Sequence, residues 1–149
     1  MYRISVCDDK CAELEKIYDM SNDYAGSNNI PAKISSFSSG KCILEQEENA
    51  SDIYILDIIM PDMNGIELVQ ALRRKNPEAY IIFLTTSKDY ALESYSVKAL
   101  SYLIKPAKKE KITAELSDCF SHIRKPRQRF VIKCASGTTS VCAEDIIYI

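Results

Sequence analysis

Three carboxylates, a hydroxyl and an amine stand where short apolar runs stop: Asp8 and Asp9, Asp57, Thr85 and Lys105. The richest stretch is Asp52-Ile53-Tyr54-Ile55-Leu56-Asp57-Ile58-Ile59-Met60-Pro61-Asp62-Met63-Asn64-Gly65. An isolated aspartate at such a place reads equally well as a turn residue or a helix cap. Gathered on one edge, the set reads differently. Three crowded carboxylates repel unless a divalent cation sits among them. Mg²⁺ suits such a cluster because it takes few protein oxygens, keeps water and bridges to phosphoryl oxygens. A lysine and a hydroxyl opposite would stabilise negative charge on a group transferred to a carboxylate.

That chemistry requires elements that deliver all five residues to one place. Ile53–Leu56 is apolar throughout and bounded by a carboxylate and a turn, as in a strand buried on both faces of a parallel sheet. Tyr2–Cys7 is a second strand, ending on Asp8-Asp9. Lys33–Phe37, Tyr80–Leu84 and Ser101–Ile104 are three more, the last two ending on Thr85 and Lys105. Between them lie helical patterns: Leu14, Ile17 and Tyr18 after the first strand, then Ser38–Gln46. A third carries Ile66, Leu68, Val69 and Leu72 and ends in Arg73-Arg74-Lys75, cations where the helix dipole favours them. Lys88–Ser96 is a fourth and 107–125 a fifth, with Ile112, Leu116, Cys119, Phe120 and Ile123 at helical spacing. Five strands alternating with five helices predict an α/β fold with a doubly wound parallel sheet. Functional groups of such sheets sit beyond the carboxyl ends of the strands, where these residues fall.

Composition narrows the class. The chain has 149 residues, 46% hydrophobic and 27% charged, enough for one globular core. No apolar run approaches the roughly 20 residues of a membrane span. The opening Met1-Tyr2-Arg3-Ile4 enters a strand pattern directly, with no signal peptide, so no membrane association and a cytoplasmic location are expected. Six cysteines, Cys7, Cys11, Cys42, Cys119, Cys134 and Cys142, lack CxxC spacing and are expected to be reduced and mostly buried. Residues 1–97 hold 9 basic and 16 acidic side chains, residues 98–149 hold 10 and 5. The acidic front half argues against nucleic acid as its partner, and the basic tail leaves that open further along.

The motifs Cys7-Asp8-Asp9, Leu56-Asp57-Ile58-Ile59-Met60-Pro61 with Asn64-Gly65, Phe83-Leu84-Thr85 and Tyr102-Leu103-Ile104-Lys105-Pro106 occur in order at four strand ends. Together they make residues 1–124 resemble a bacterial response-regulator receiver domain. The resemblance implies a flavodoxin-like strand order, 2-1-3-4-5, and a phosphoacceptor that assists its own phosphorylation and dephosphorylation rather than an enzyme. Asp57 matches the phosphoacceptor. Asp9, Asp57 and the backbone carbonyl of Ile59 match the Mg²⁺ ligands, with Asp8 acting through water. Lys105 matches the phosphate-binding lysine, its bond to Pro106 usually cis, and Thr85 and Tyr102 match the switch pair. The implied partner is a sensor histidine kinase, with homodimerisation on phosphorylation through the last two helices and the strand between them. Three positions depart from the commonest pattern: Thr86 where Ala or Gly is usual, apolar Ile59 where a polar side chain is frequent, and Ala107 in place of a frequent Phe.

Residues 125–129, around Pro126, read as a linker. From Phe130 two short strands around Ser136-Gly137, then Asp145-Ile146-Ile147-Tyr148-Ile149, resemble the opening of a LytTR-type DNA-binding domain. The segment 130–149 is about a quarter of such a module, so promoter DNA is expected as a partner of a full-length protein and not of this chain. Other functions on the same fold fit less well. A flavin carrier needs a Ser/Thr/Gly-rich phosphate loop where Asp8-Asp9-Lys10 stands. A phosphatase of the haloacid dehalogenase type wants a second aspartate where Ile59 stands. A pseudo-receiver, an interaction module that is never phosphorylated, remains the alternative. His122 reads as a surface residue.

Overall fold

Ile53–Leu56, apolar at every position, lies fully buried at the centre of a five-stranded parallel sheet. The computed structural model describes residues 1–46, 50–106 and 108–123, and the backbone of 124, 129–134 and 137–142. The elements run Tyr2–Cys7 (β1), Cys11–Ser27 (α1), Ala32–Phe37 (β2), Gly40–Glu45 (α2), Ile53–Leu56 (β3), Gly65–Lys75 (α3), Tyr80–Thr85 (β4), Ala91–Ser96 (α4), Ser101–Ile104 (β5) and Lys109–Arg124 (α5). The sheet is parallel, as the alternating pattern predicts, and its order is β2-β1-β3-β4-β5, as the resemblance implies. Arg129–Cys134 (β6) and Gly137–Cys142 (β7) pair antiparallel as the two expected tail strands. The chain divides into two compact units, Met1–Cys119 and Phe120–Ile149. The 125–128 part of the expected linker and residues 145–149 lie outside the described residues, as does Ala107.

Side-chain alternation distributes β3 between two layers. Tyr54 and Leu56 join Ile43 of α2, Ile66, Leu68, Val69 and Leu72 of α3, Phe83 and Val97 in one core cluster. Ile53 and Ile55 project to the opposite face, which leaves α1, with buried Ile17, and α5, with buried Ile112 and Leu116, to cover it. Among the described residues no helix is long and apolar enough to cross a membrane.

The helix starts differ from expectation for local reasons. Ser39 caps α2 by accepting from the Cys42 N–H at 3.3 Å, so the helix begins at Gly40 and not Ser38. Ser87 Oγ takes the Asp89 N–H at 3.1 Å, a turn that competes with helix and delays α4 to Ala91. The fifth helix begins at Lys109. Neither Asp8 nor Asp9 caps α1: its N-cap is Lys10, with no side-chain cap bond, and Asp8 Oδ1 accepts from the Lys10 N–H at 3.0 Å. Of the described cysteines only Cys7 and Cys119 are buried, whereas Cys11 and Cys42 are exposed, so the expectation of mostly buried thiols fails for half of them. Cys11 begins α1 and Cys42 lies on the outer face of α2.

One glycine is dictated by packing. A Cβ at Gly65 would lie 2.5 Å from the Asp57 carbonyl oxygen and 2.9 Å from the Ile58 Cα, both backbone atoms, while Gly26 has nothing within 4 Å. Gly65→Ala should therefore lower stability by about 2 kcal/mol, as overpacking does. Gly26→Ala, inside α1, should raise it by about 0.5–1 kcal/mol. Urea unfolding of both variants checks the contrast; equal effects would contradict it.

Candidate functional site

Parallel pairing sets the site. Cys7 pairs with Leu56 and Leu56 with Phe83, so β1 and β3 run out together and Asp8 and Asp57 emerge side by side. The Asp57 N–H donates to Cys7 O at 3.0 Å, and the Lys105 N–H to Thr85 O at 2.8 Å, fastening the ends of adjacent strands. Asp57 and Asp8 are 4% and 3% exposed, whereas Asp9 is open to solvent. Carboxylate oxygens of Asp8, Asp9 and Asp57 lie within 4.8 Å of one another.

Lys105 holds this cluster. Its Nζ is 2.6 Å from Asp8 Oδ2 and 3.0 Å from Asp57 Oδ2, with all three side chains almost wholly buried. Burial raises the Asp8 pKa, and hydrogen bonds from Lys105 and the Lys10 N–H only partly offset it. For Lys105 burial works to lower the pKa, but hydrogen bonds to Asp8 and Asp57 outweigh it and raise it above 10.5. While the carboxylates stay ionised, the stability that Lys105 contributes is present below pH 10.5 and is lost as pH rises through its higher folded value. Asp57 Oδ1 accepts from the Ile59 N–H at 3.1 Å, which orients the carboxylate at the loop.

The donor set fits a hard divalent cation. Three carboxylates share one small space with a single ammonium, and the Asp9 group faces solvent, from which an ion and its waters would arrive. Cys7 adds no ligand: burial foremost, with Asp8 next, pushes its thiol up to about 12. Ile59, whose N–H binds Asp57, is 45% exposed, and Thr86, next after Thr85, is exposed.

Thr85 is fully buried, and its Oγ1 accepts from the Ser87 N–H at 3.4 Å. The half-buried Tyr102 donates its hydroxyl to Ser87 O and meets Phe83 edge-on, ring centroids 6.4 Å apart. Burial raises the Tyr102 pKa, keeping that hydroxyl a donor. Ser87 therefore joins the two residues matched to the switch pair, a role the sequence reading missed. Its only signal was a serine in a turn between strand and helix. The Lys105–Pro106 peptide is cis, as the resemblance implied.

The sheet thus has the order β2-β1-β3-β4-β5, with an acidic cluster and a buried lysine beyond its carboxyl edge. Residues 4–117 match the family model of the response regulator receiver domain, and the chain belongs to that family. It is similar to the sensory transduction protein LytT of Bacillus anthracis, 42% identical over 73 residues, covering 48% of this chain and 29% of that protein. It is 30% identical over 84 residues to the transcriptional regulatory protein YpdB of Escherichia coli K12, covering 56% and 34%. The chain therefore spans well under half the length of these relatives. The response regulatory domain of protein mrkE from Klebsiella pneumoniae has the same fold, with a TM-score of 0.74 at 22% identity over 83% of this chain and 98% of that one.

A cation that binds the folded cluster and not the unfolded chain stabilises the fold. At 100 times its dissociation constant Mg²⁺ should add about 2.7 kcal/mol, and Asp9→Ala should abolish that increment. Thermal melts across a Mg²⁺ titration check this. A wild-type melting temperature indifferent to Mg²⁺ would contradict the metal assignment.

Proposed function

We propose that Asp57 accepts a phosphoryl group from the phosphohistidine of a sensor histidine kinase, and that the resulting acyl phosphate controls an output domain. One observation carries the reading: a buried carboxylate at a strand's carboxyl end, 3.0 Å from a buried lysine and inside a three-carboxylate cluster. Mg²⁺, held by Asp9, Asp57 and the Ile59 carbonyl with Asp8 acting through water, would supply charge neutralisation on the phosphoryl oxygens. An Asp57 oxygen attacks phosphorus, the new O–P bond forming as the P–N bond to imidazole breaks, and the imidazole leaves. Lys105 then turns from the Asp57 carboxylate to the phosphoryl oxygens. The Thr85 hydroxyl, which accepts a long bond from the Ser87 N–H, donates to them as well. Drawing Thr85 in pulls Ser87 and loosens the acceptor of the Tyr102 hydroxyl, so the state of Asp57 biases the 85–96 segment.

The wider reading follows from the relatives and the tail. The name of YpdB supports a transcriptional output, and the LytTR-like tail sequence supports DNA binding by a full-length protein, in the cytoplasm where a kinase's phosphohistidine would meet it. Phosphorylation would promote a homodimer through α4, β5 and α5, where Leu92 and Tyr95 are exposed.

Asp57→Asn should gain no labile adduct of phosphoryl mass from acetyl phosphate with Mg²⁺, while the wild type gains one. Intact-protein mass spectrometry reads this, and equal labelling would reject Asp57. Sedimentation with beryllofluoride, an acyl-phosphate mimic, should shift the wild type toward dimer. An unchanged monomer at tens of micromolar would reject the dimer for this chain.

A further inference from the structure

Helix α4 is held unequally at its two ends. Its amino end starts on Tyr90, which makes no side-chain cap bond, and the helix has only six residues. At that end Tyr90 is half-buried against the core cluster, while Leu92 is 86% exposed. The carboxyl end is closed by a Schellman turn: the Ala99 N–H donates to Ser94 O, the Lys98 N–H to Tyr95 O, and Lys98 adopts a left-handed φ of 60°. Val97 is buried in the same core as Ile58, Leu68 and Phe83.

Arg73 grips this closed end. The sequence reading gave it only a dipole role, but its guanidinium makes four hydrogen bonds to main-chain carbonyls. Nε donates to Val97 O at 3.1 Å and Nη2 to Lys98 O at 2.9 Å. Nη1 donates to Pro77 O at 3.0 Å and Ala79 O at 2.5 Å, in the turn between α3 and β4. A planar fork can serve several carbonyls at once in a way that a lysine ammonium cannot. The helix that carries Arg73 begins at Gly65, pressed on the Asp57 carbonyl, about 12 Å of helical rise away.

We propose that Arg73 is a positioning residue that pins the carboxyl end of α4, so that movement begun at Thr85 and Ser87 swings its amino end about a pivot at Val97–Lys98. The pin stands on the geometry alone; the swing rests on the receiver reading.

Amide hydrogen exchange, segment by segment, tests both parts on the whole chain. In metal-free Arg73→Lys, which keeps the charge and the aliphatic stem, amides 97–100 should exchange about tenfold faster than in the wild type, as loss of charged hydrogen bonds implies. Core amides of Ile4 and Ile55 should not change. Mg²⁺ with beryllofluoride should alter exchange over 85–93 and spare 97–100 in the wild type, and should reach 97–100 in the variant. Arg73→Gln serves as a second variant with the same expectation. Wild-type rates at 97–100 in both variants would overturn the pin, as would acceleration spread evenly over the core, the mark of a merely stabilising residue. A wild-type response at 97–100 equal to that at 85–93 would overturn the pivot. No wild-type response anywhere would overturn the switch reading and the swing with it, leaving the pin to the metal-free comparison.

Discussion

Two buried carboxylates and one buried ammonium form the arrangement on which the rest of the site depends. Lys105 reaches from the end of β5 to Asp8 and Asp57 at the ends of β1 and β3, so one side chain spans the functional edge of the sheet. Desolvating such groups costs several kcal/mol per ion, and removing one partner leaves a buried charge uncompensated. A fold optimised for stability alone would have no reason to gather three carboxylates here. Burial correspondingly raises the Asp8 pKa, with the Lys105 and Lys10 hydrogen bonds opposing it. Strongly perturbed groups gathered at one strand edge mark a candidate functional site, and three carboxylates here fit a hard divalent cation.

The same edge explains the neighbouring backbone. Asp57 belongs to a loop that turns into α3 within a few residues, and Gly65 gives the close approach that brings the helix start against the Asp57 carbonyl. On the other side, Ser87 accepts from Tyr102 and donates to Thr85, so two buried or half-buried side chains meet at one residue. The 85–96 segment is thus tied near the site through Ser87 and, just past its far end, by the Arg73 bonds to Val97 and Lys98. Segments with few buried contacts are where low-cost rearrangement occurs, and such a segment is what a signalling domain needs to move.

Much of this was legible in the sequence. The all-apolar Ile53–Leu56 run, the strand ends on Asp8, Asp57, Thr85 and Lys105, and the strand–helix alternation gave the sheet and its functional edge, because burial on both faces and parallel crossovers leave few alternatives. Long-range partners were not legible. Periodicity shows that Arg73 ends a helix but not that its guanidinium reaches Val97 and Lys98, which depends on how α3 and α4 pack. Asp8 and Asp9 are adjacent and chemically identical, yet one is buried against Lys105 and the other faces solvent, a difference that strand register decides. Short helices were overextended at Ser38 and Lys88 because serine turns compete locally with helix and leave no periodic signal.

Covalent trapping tests the central assignment most directly. Reduction of an acyl phosphate with borohydride converts the carboxylate that carried it into an alcohol, homoserine at an aspartate, which survives digestion and can be located in a peptide. After treatment with acetyl phosphate and Mg²⁺, the account predicts homoserine at position 57 alone, with Asp8, Asp9 and Asp62 unmodified. Homoserine at any of those three, or none in the peptide containing Ile53–Leu56 and Asp57, would contradict it.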